Sequence, residues 1–349
     1  MSASPADARV PRRVYEPEEL LRSHAGLRPH AEAGRRLHGG FDAEGRYVPP
    51  RLLVRGPAVT AWTQALRARG GDLLPADGSL LAGVRTPNEA QQKLLLREGL
   101  GQTFWNTLTV TGHIEARGRV LADMTFPELG DVLVEDVSGM AVGHLNRGLL
   151  HAHGLDEGGE PQRGIGGHDV MWFALRDLAF GPVDFPEPQV PANIARPESD
   201  IAYPAGLPAP VVRTLYFLAN LLMIELRAER GFSLTEALLR DPELFTARRP
   251  EALRAAEIVE RIRADEDIHV RSLRLVLGEL RHLHFRTSDG RVLPGQEVVD
   301  PLWEGIVRWA TVEQPPLVAA QQERLLRERI LRHADGPRIL AAFERLADA

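Results

Sequence analysis

Along residues 255–280, AAEIVERIRADEDIHVRSLRLVLGEL, the apolar positions Ile262, Leu273, Val276 and Leu280 recur at the three- and four-residue spacing that lines one face of a helix. Glu266 and His269 fall in the same stripe, where a packed helix presents apolar side chains. A carboxylate and an imidazole directed into a core are costly unless something pairs them, and a bound metal ion does so. Their Glu-x-x-His spacing lets both side chains reach one ion between packed helices.

The same periodicity predicts helices through most of the chain. A helical pattern covers residues 88–124, opened by Thr86 and Pro87 as cap and first-turn proline and divided at Gly99 or Gly101. Its second part sets Phe104, Leu108, Thr111 and Glu115 on one face. A second helix is expected over residues 128–151. There Glu135, Ser138, Val142, Leu145 and Leu149 repeat the offsets 0, 3, 7, 10 and 14 of Glu266, His269, Leu273, Val276 and Leu280. Residues 152–165 read as a loop and 168–179 as a helix. The proline-rich stretch 181–210 is either an interdomain linker or the long crossover of a bundle, and the matching helices on either side favour the crossover. A strongly apolar helix over 210–230 groups Leu218, Leu221, Leu222 and Glu225, with Glu229 one turn on, and Gly231 is expected to end it. A short helical excursion leads to the helix at 250–283. Beyond it come a turn at Ser288-Asp289-Gly290, helices at 301–313 and 316–333, and a last helix in the tail.

Residues 1–86 lack this periodicity. They are rich in Pro and Gly, with one helical pattern at 58–69, and read as an irregular arm packed on the main body. The chain therefore divides into an N-terminal arm at 1–86, a helical bundle at 87–285 and a helical extension at 286–349.

Composition narrows the chemistry. The chain has 349 residues, 44% hydrophobic and 26% charged, with a formal net charge of -6, which gives no basic field for nucleic acid. No cysteine is present, so thiolate metal sites, disulfides and cysteine nucleophiles are excluded, and any metal site must use His and carboxylate. No uninterrupted apolar run reaches membrane-spanning length, and the charged start is unlike a secretory signal, so the expectation is a cytoplasmic protein with no membrane partner. Gly164–Gly167 precedes a helix without the strand and the Lys or Ser/Thr that a nucleotide loop needs, and no Gly-x-Ser-x-Gly is present.

Glu115, Glu135, Glu225 and Glu266, with His269, are the candidate metal ligands. Taken with two helical hairpins and a crossover, they resemble the ferritin-like superfamily of di-iron and di-manganese carboxylate proteins. The resemblance is closest at 210–283, where YFLANLLMIELRAERGF is followed by IVERIRADEDIHVRSLRLVLGEL. It implies an all-α, ferritin-like four-helix bundle holding iron or manganese, with two ions expected and one as the alternative. It implies an oxidoreductase using O₂ or peroxide on a small-molecule substrate, and a homodimer is a further expectation. Ser138 stands where the pattern would place a second histidine. His113 and His144 point away from Glu115 and Glu135 on their own helices, and His168 is the histidine that can swing in from outside. The pairs His151/His153 and His282/His284 are read as helix-end histidines facing terminal carbonyls. A metal-free or single-metal scaffold with a binding role, the single ion held by Glu225, Glu266 and His269, is the alternative function.

Overall fold

The computed structural model describes residues 12–81, 87–200, 204 and 206–347, and over these the chain is mostly helical with two small antiparallel sheets. The N-terminal part holds α1 (Pro17–Leu20), a three-stranded sheet of β1 (Arg28–Glu32), β2 (Arg35–Phe41) and β3 (Tyr47–Val48), and α2 (Leu52–Ala68). Then follow α3 (Glu89–Arg97), α4 (Gln102–Gly118), α5 (Leu150–Gly158), α6 (His168–Phe180), α7 (Ala209–Arg240) and α8 (Arg249–His282). The hairpin β4 (His284–Arg286) and β5 (Val292–Pro294) leads to α9 (Gly295–Arg308), α10 (Gln314–Leu331) and α11 (Gly336–Arg345).

The centre of the molecule is a helical bundle: α7 packs on α8, α8 on α6, α6 on α4, and α4 on α5. The stripe on α8 explains how it is assembled. Ile258, Val259 and Ile262 enter one apolar cluster with Phe104, Leu108, Trp172 and Phe232. Leu273, Val276 and Leu280 enter another with Leu145, Leu149, Leu218 and Leu222. Asp265, Glu266 and His269 lie between these two cores and are buried. The polar band is thus walled by apolar side chains above and below, which excludes water and raises the cost of any unpaired charge within it.

Several elements depart from the sequence reading. The helix expected at 128–151 does not form. Those residues make short 3₁₀ turns at Leu129–Asp131 and Val142–His144, and a kinked turn at Leu145–Leu149. Gly148 there has φ 98°, and a Cβ on it would lie 2.8 Å from the Pro17 carbonyl oxygen, so the chain turns against α1 at a place only glycine accepts. The helix begins only at Leu150, as α5, and runs mostly through residues read as a loop. Conversely, α7 runs through Gly231, because Phe232, Leu238 and Leu239 continue its buried face. It ends at Asp241, whose ψ of 122° is the extended conformation required before Pro242. By length and composition α7 would also suffice to cross a membrane, with 67% of its most apolar window buried in the protein. Counting uninterrupted apolar residues hides this, since the helix is apolar on average despite its polar interruptions.

The start of α3 is capped by Asn88, whose side chain accepts from the Gln91 N–H, whereas Thr86 lies outside the described residues. Over its described residues, 12–81, the N-terminal arm forms regular elements rather than irregular chain. Ala33 (φ 48°) and Gly34 (φ 74°) form a tight turn joining β1 to β2, the positive φ pair that suits a two-residue hairpin. The helical pattern at 58–69 belongs to α2, which starts earlier and carries Pro57 inside it.

Candidate metal centre

Four helices and one helix N-terminus bring seven side chains together. Glu115 comes from α4, His153 and Glu157 from successive turns of α5, Glu225 from α7, and Glu266 and His269 from α8. His168 is the first residue of α6. All seven are buried. Two groups of donor atoms form, each with its members within 4.8 Å of one another: His153, Glu157, Glu225 and His269, and Glu115, Glu157, His168 and Glu266. Glu157 belongs to both. The close approach of α5 to the end of α4 depends on Gly118, where a Cβ would lie 2.5 Å from Glu157 Cγ.

The donor atoms crowd one another, and several of them face each other without hydrogen-bond geometry. His153 Nε2 lies 2.9 Å from Glu225 Oε1 and 3.5 Å from Glu157 Oε1. His168 Nδ1 lies 3.0 Å from Glu266 Oε1, 3.6 Å from Glu157 Oε1 and 3.9 Å from Glu115 Oε2. Yet His153 Nε2, His168 Nδ1 and Glu157 Oε1 are buried with no properly directed hydrogen-bond partner. Buried polar atoms are almost always satisfied, and three unsatisfied donor atoms facing one another are a place that could hold a cation. Oxygen and imidazole donors in this mixture can hold a metal ion.

A second layer fixes the histidines. His269 turns Nδ1 toward Glu266 Oε2 at 2.8 Å, and its Nε2 lies 3.0 Å from Asp156 Oδ2. His168 turns Nδ1 inward in the same way, and its Nε2 lies 3.4 Å from Asp265 Oδ2. Each ring is therefore oriented by a buried carboxylate behind it, the arrangement that sets tautomer and direction in metal-binding histidines. The two carboxylates are related: Asp156 precedes Glu157 on α5, and Asp265 precedes Glu266 on α8. In both helices an Asp-Glu pair sends the Glu inward and the Asp to a histidine on another helix.

The N-terminal arm completes this layer. Arg51 donates to Asp156 Oδ1 from Nε at 2.8 Å, and Arg55 donates to Asp156 Oδ2. Arg51 does so from a left-handed backbone conformation, φ 52°, at the start of α2, a costly geometry for a side-chain-bearing residue. Strand β2 is tied to the loop before α6 by His38 N–H donating to the Gly166 carbonyl and Gly166 N–H donating to that of Arg36. That docking brings His38 Nε2 to 3.0 Å from Asp265 Oδ2, which also accepts from the Tyr47 hydroxyl at 2.9 Å.

Electrostatics follow from packing four glutamates and three histidines in a dry space. Burial, with the charge of Glu157 added, holds Glu115 well above the usual carboxylate range. Glu157 is held well below it against burial, chiefly because Glu115 donates to it and His168 faces it. The two thus share one proton, since like charges this close do not both ionise. Burial and then Glu266 push Glu225 up to about 7. Glu266 is held at about 2 despite burial and Glu157, by His269 and His168. Burial opposes charge on His168 and His269, but Glu266 above all raises both well above the ordinary imidazole value. His153 is raised more modestly, with burial and His269 opposing Glu157 and Glu225. Its ring stacks on His269 with centroids 3.8 Å apart.

Of the residues singled out in the sequence, Glu115, Glu225, Glu266 and His269 come together here. Glu135 does not. It sits in the stretch that fails to form a helix, partly exposed, with Oε1 2.6 Å from His284 Nδ1. Ser138 is exposed and bonds Asp136, so it replaces no ligand. Glu229 pairs with Arg263 instead. His153, read as a helix-end histidine, and Glu157, read as part of a loop, occupy the positions assigned to Ser138 and Glu135. The repeated Asp-Glu pair, LDEG and ADED, was the available signal for Glu157. No protein-family model matches the chain, and no curated protein or solved structure matches it either.

Proposed function

We propose that this chain is a ferritin-like carboxylate protein that holds two iron or manganese ions and acts as an oxidoreductase on a small molecule with O₂ or peroxide. The observation that carries this reading is the pair of four-membered donor groups sharing Glu157. His153, Glu225 and His269 would hold one ion, and Glu115, His168 and Glu266 the other, with Glu157 reaching both. The mixture of carboxylate and imidazole suits iron or manganese. Six of the seven ligands spread over two helices giving a lone Glu and two giving a Glu with a His, which follows the dinuclear bundle pattern; His153 precedes Glu157 by four residues rather than following it by three, and His168, from the start of α6, is a histidine outside that pattern. When bound, such a pair supplies a redox couple and a Lewis acid for small oxygen species. The chain's own part is to hold the donors in place and keep water out: Asp156 and Asp265 orient the rings, and the two apolar clusters close the band.

The scaffold alternative draws on Ser138 as a lost ligand and on the long segments of chain outside the bundle; Ser138's exposed position removes the first of these grounds. Elemental analysis of protein purified without chelator tests the reading. About two ions per chain are expected, with Glu157→Ala losing both because both groups use it. Metal-free protein that takes up neither iron nor manganese, or a Glu157→Ala protein that binds as well as the wild type, would sink it.

A further inference from the structure

Residues 28–48, the sheet of β1, β2 and β3, lie against α6 and α8 beside the centre. Of their side chains, Leu37 alone enters an apolar cluster. The other ties are polar: Arg35 to Asp177 at 2.8 Å, Arg254 to Glu32 at 2.5 Å, and Arg261 to His30 Nε2 at 3.0 Å. The first two are open to water, and ion pairs in that setting hold little. The helix that follows is anchored differently, since α2 buries Ala58, Val59, Trp62 and Leu66. Left-handed residues flank the sheet, Gly26 at φ 74° in open space and Arg51 at φ 52°. A small sheet with one apolar anchor, set between two such joints, is a part of the wall that can swing as a unit.

What this sheet covers is a ligand. The His38 ring packs edge-on against His168, with centroids 5.1 Å apart and planes at 80°. The backbone of β2 pairs with Gly166, two residues before His168. His38 Nε2 and the Tyr47 hydroxyl reach Asp265 Oδ2 at 3.0 and 2.9 Å, the same oxygen that faces His168 Nε2 at 3.4 Å. Asp265 Oδ1 is buried with no hydrogen-bond partner, so the sheet fixes this carboxylate through Oδ2. With the sheet lifted, Asp265 keeps only the long contact to His168, and the His168 ring loses its cover. His168 comes from the start of α6, outside the four helices that give the other ligands. The centre can therefore be entered at His168 without parting those helices.

We propose that β1–β3 form a flap that opens to admit the ions and closes on the loaded centre, with His38 and Tyr47 as positioning residues that act on His168 through Asp265. The proposal rests on the dinuclear reading above. Once His168 Nδ1 is a ligand, its Nε2–H donates outward, and the acceptor is the carboxylate that the flap also holds. Loading therefore favours the closed flap, and by reciprocity the closed flap raises affinity for the ion by the same factor.

Hydrogen–deuterium exchange of the full chain, read by mass spectrometry after metal removal and again with Mn²⁺ added, tests this. Amides of residues 28–48 should exchange about 10-fold or more slowly in the loaded form, an ordinary size for coupling between two sites. Those of α11 should not change. Tyr47→Phe removes one hydroxyl from the network. It should weaken Mn²⁺ about 10-fold in chelator competition and shrink the exchange ratio by the same factor. Arg35→Ala loosens the flap at Asp177 without touching Asp265. It should speed flap exchange in both forms, keep their ratio, and quicken Mn²⁺ uptake in stopped-flow mixing. A Tyr47 with a merely structural role would behave as Arg35 does. Flap exchange unchanged by loading in the wild type overturns the proposal. So does a folded Tyr47→Phe protein that keeps the full ratio, or an Arg35→Ala flap that exchanges faster while uptake does not quicken. Each of these results is read on protein that binds Mn²⁺, so each leaves the dinuclear reading standing. Wild-type protein that binds neither manganese nor iron sinks that reading and the flap's metal dependence together.

Discussion

Replacing Asp156 with Asn separates the roles of the inner and outer layers. The substitution keeps shape and removes one charge from a fully buried position. Wild-type Asp156 lies 2.7 Å from Arg51 Nη2 and 3.0 Å from His269 Nε2, and it accepts from Arg55. Burial works against its ionisation, yet Arg55, Arg51 and His269 hold its carboxyl well below the usual range. With Asn, one oxygen becomes an amide that faces a donor, and two buried guanidiniums lose their common counter-charge. Removing one partner of a buried ion pair costs about 3–5 kcal/mol. His269 also loses the acceptor that fixes its ring, which in metal sites lowers affinity about 10- to 100-fold. Two assays read these effects: urea unfolding of the metal-free protein by circular dichroism, and competition for iron or manganese against a chromophoric chelator. The sign with pH is fixed as well. A depressed carboxyl contributes stability above its unfolded value and loses it as pH falls, so the gap between wild type and Asp156→Asn should narrow in acid. A variant within about 1 kcal/mol of wild type, with metal affinity within about twofold, would refute the reasoning that Asp156 orients His269.

Further outcomes follow from other positions. His153→Ala should lower metal content from about two ions per chain toward about one, whereas Glu135→Ala should leave it unchanged, as elemental analysis would show; the opposite ranking would restore the sequence-based ligand set. Burial drives Glu279 up to about 7 from its ordinary 4.5, against the Ala141 and Val142 N–H groups that donate to it. A raised carboxyl contributes stability that is full below about 4.5 and is lost as pH rises through about 7, a change of about 3 kcal/mol. The stability of wild type relative to Glu279→Gln should therefore fall by about that amount between pH 4.5 and 7.5 in parallel denaturation curves, and a constant difference would contradict the assignment.

How much of this was legible in the sequence depends on the scale of the pattern. The stripe on α8 is long and regular, and its two polar members stand out because apolar residues flank them on both sides. Glu225, closing an apolar run on α7, was readable for the same reason. The α5 region was not. Between 128 and 151 the three-four spacing exists, but Gly130, Gly139, Gly143 and Gly148 let the chain turn instead, and the register match that drew in Glu135 was an accident of amphipathic spacing. The true helix is short, and in HAHGLDEGG glycines fall within it and at its end, so His153 reads as a helix-end histidine and Glu157 as part of a loop. The outer layer was invisible for a different reason. Arg51, Arg55, His38 and Tyr47 reach the site through tertiary docking of the arm, and nothing in local periodicity encodes a contact with residues more than a hundred positions away.

Anomalous diffraction at the iron and manganese edges, from crystals of protein loaded with either metal, tests the central claim most directly. The account predicts about two peaks per chain, about 3.5–4 Å apart, on either side of the Glu157 carboxylate and within ligand distance of His153 and His168 respectively. No peak between α4, α5, α7 and α8, or a single peak at the Glu135–His284 pair, would contradict it.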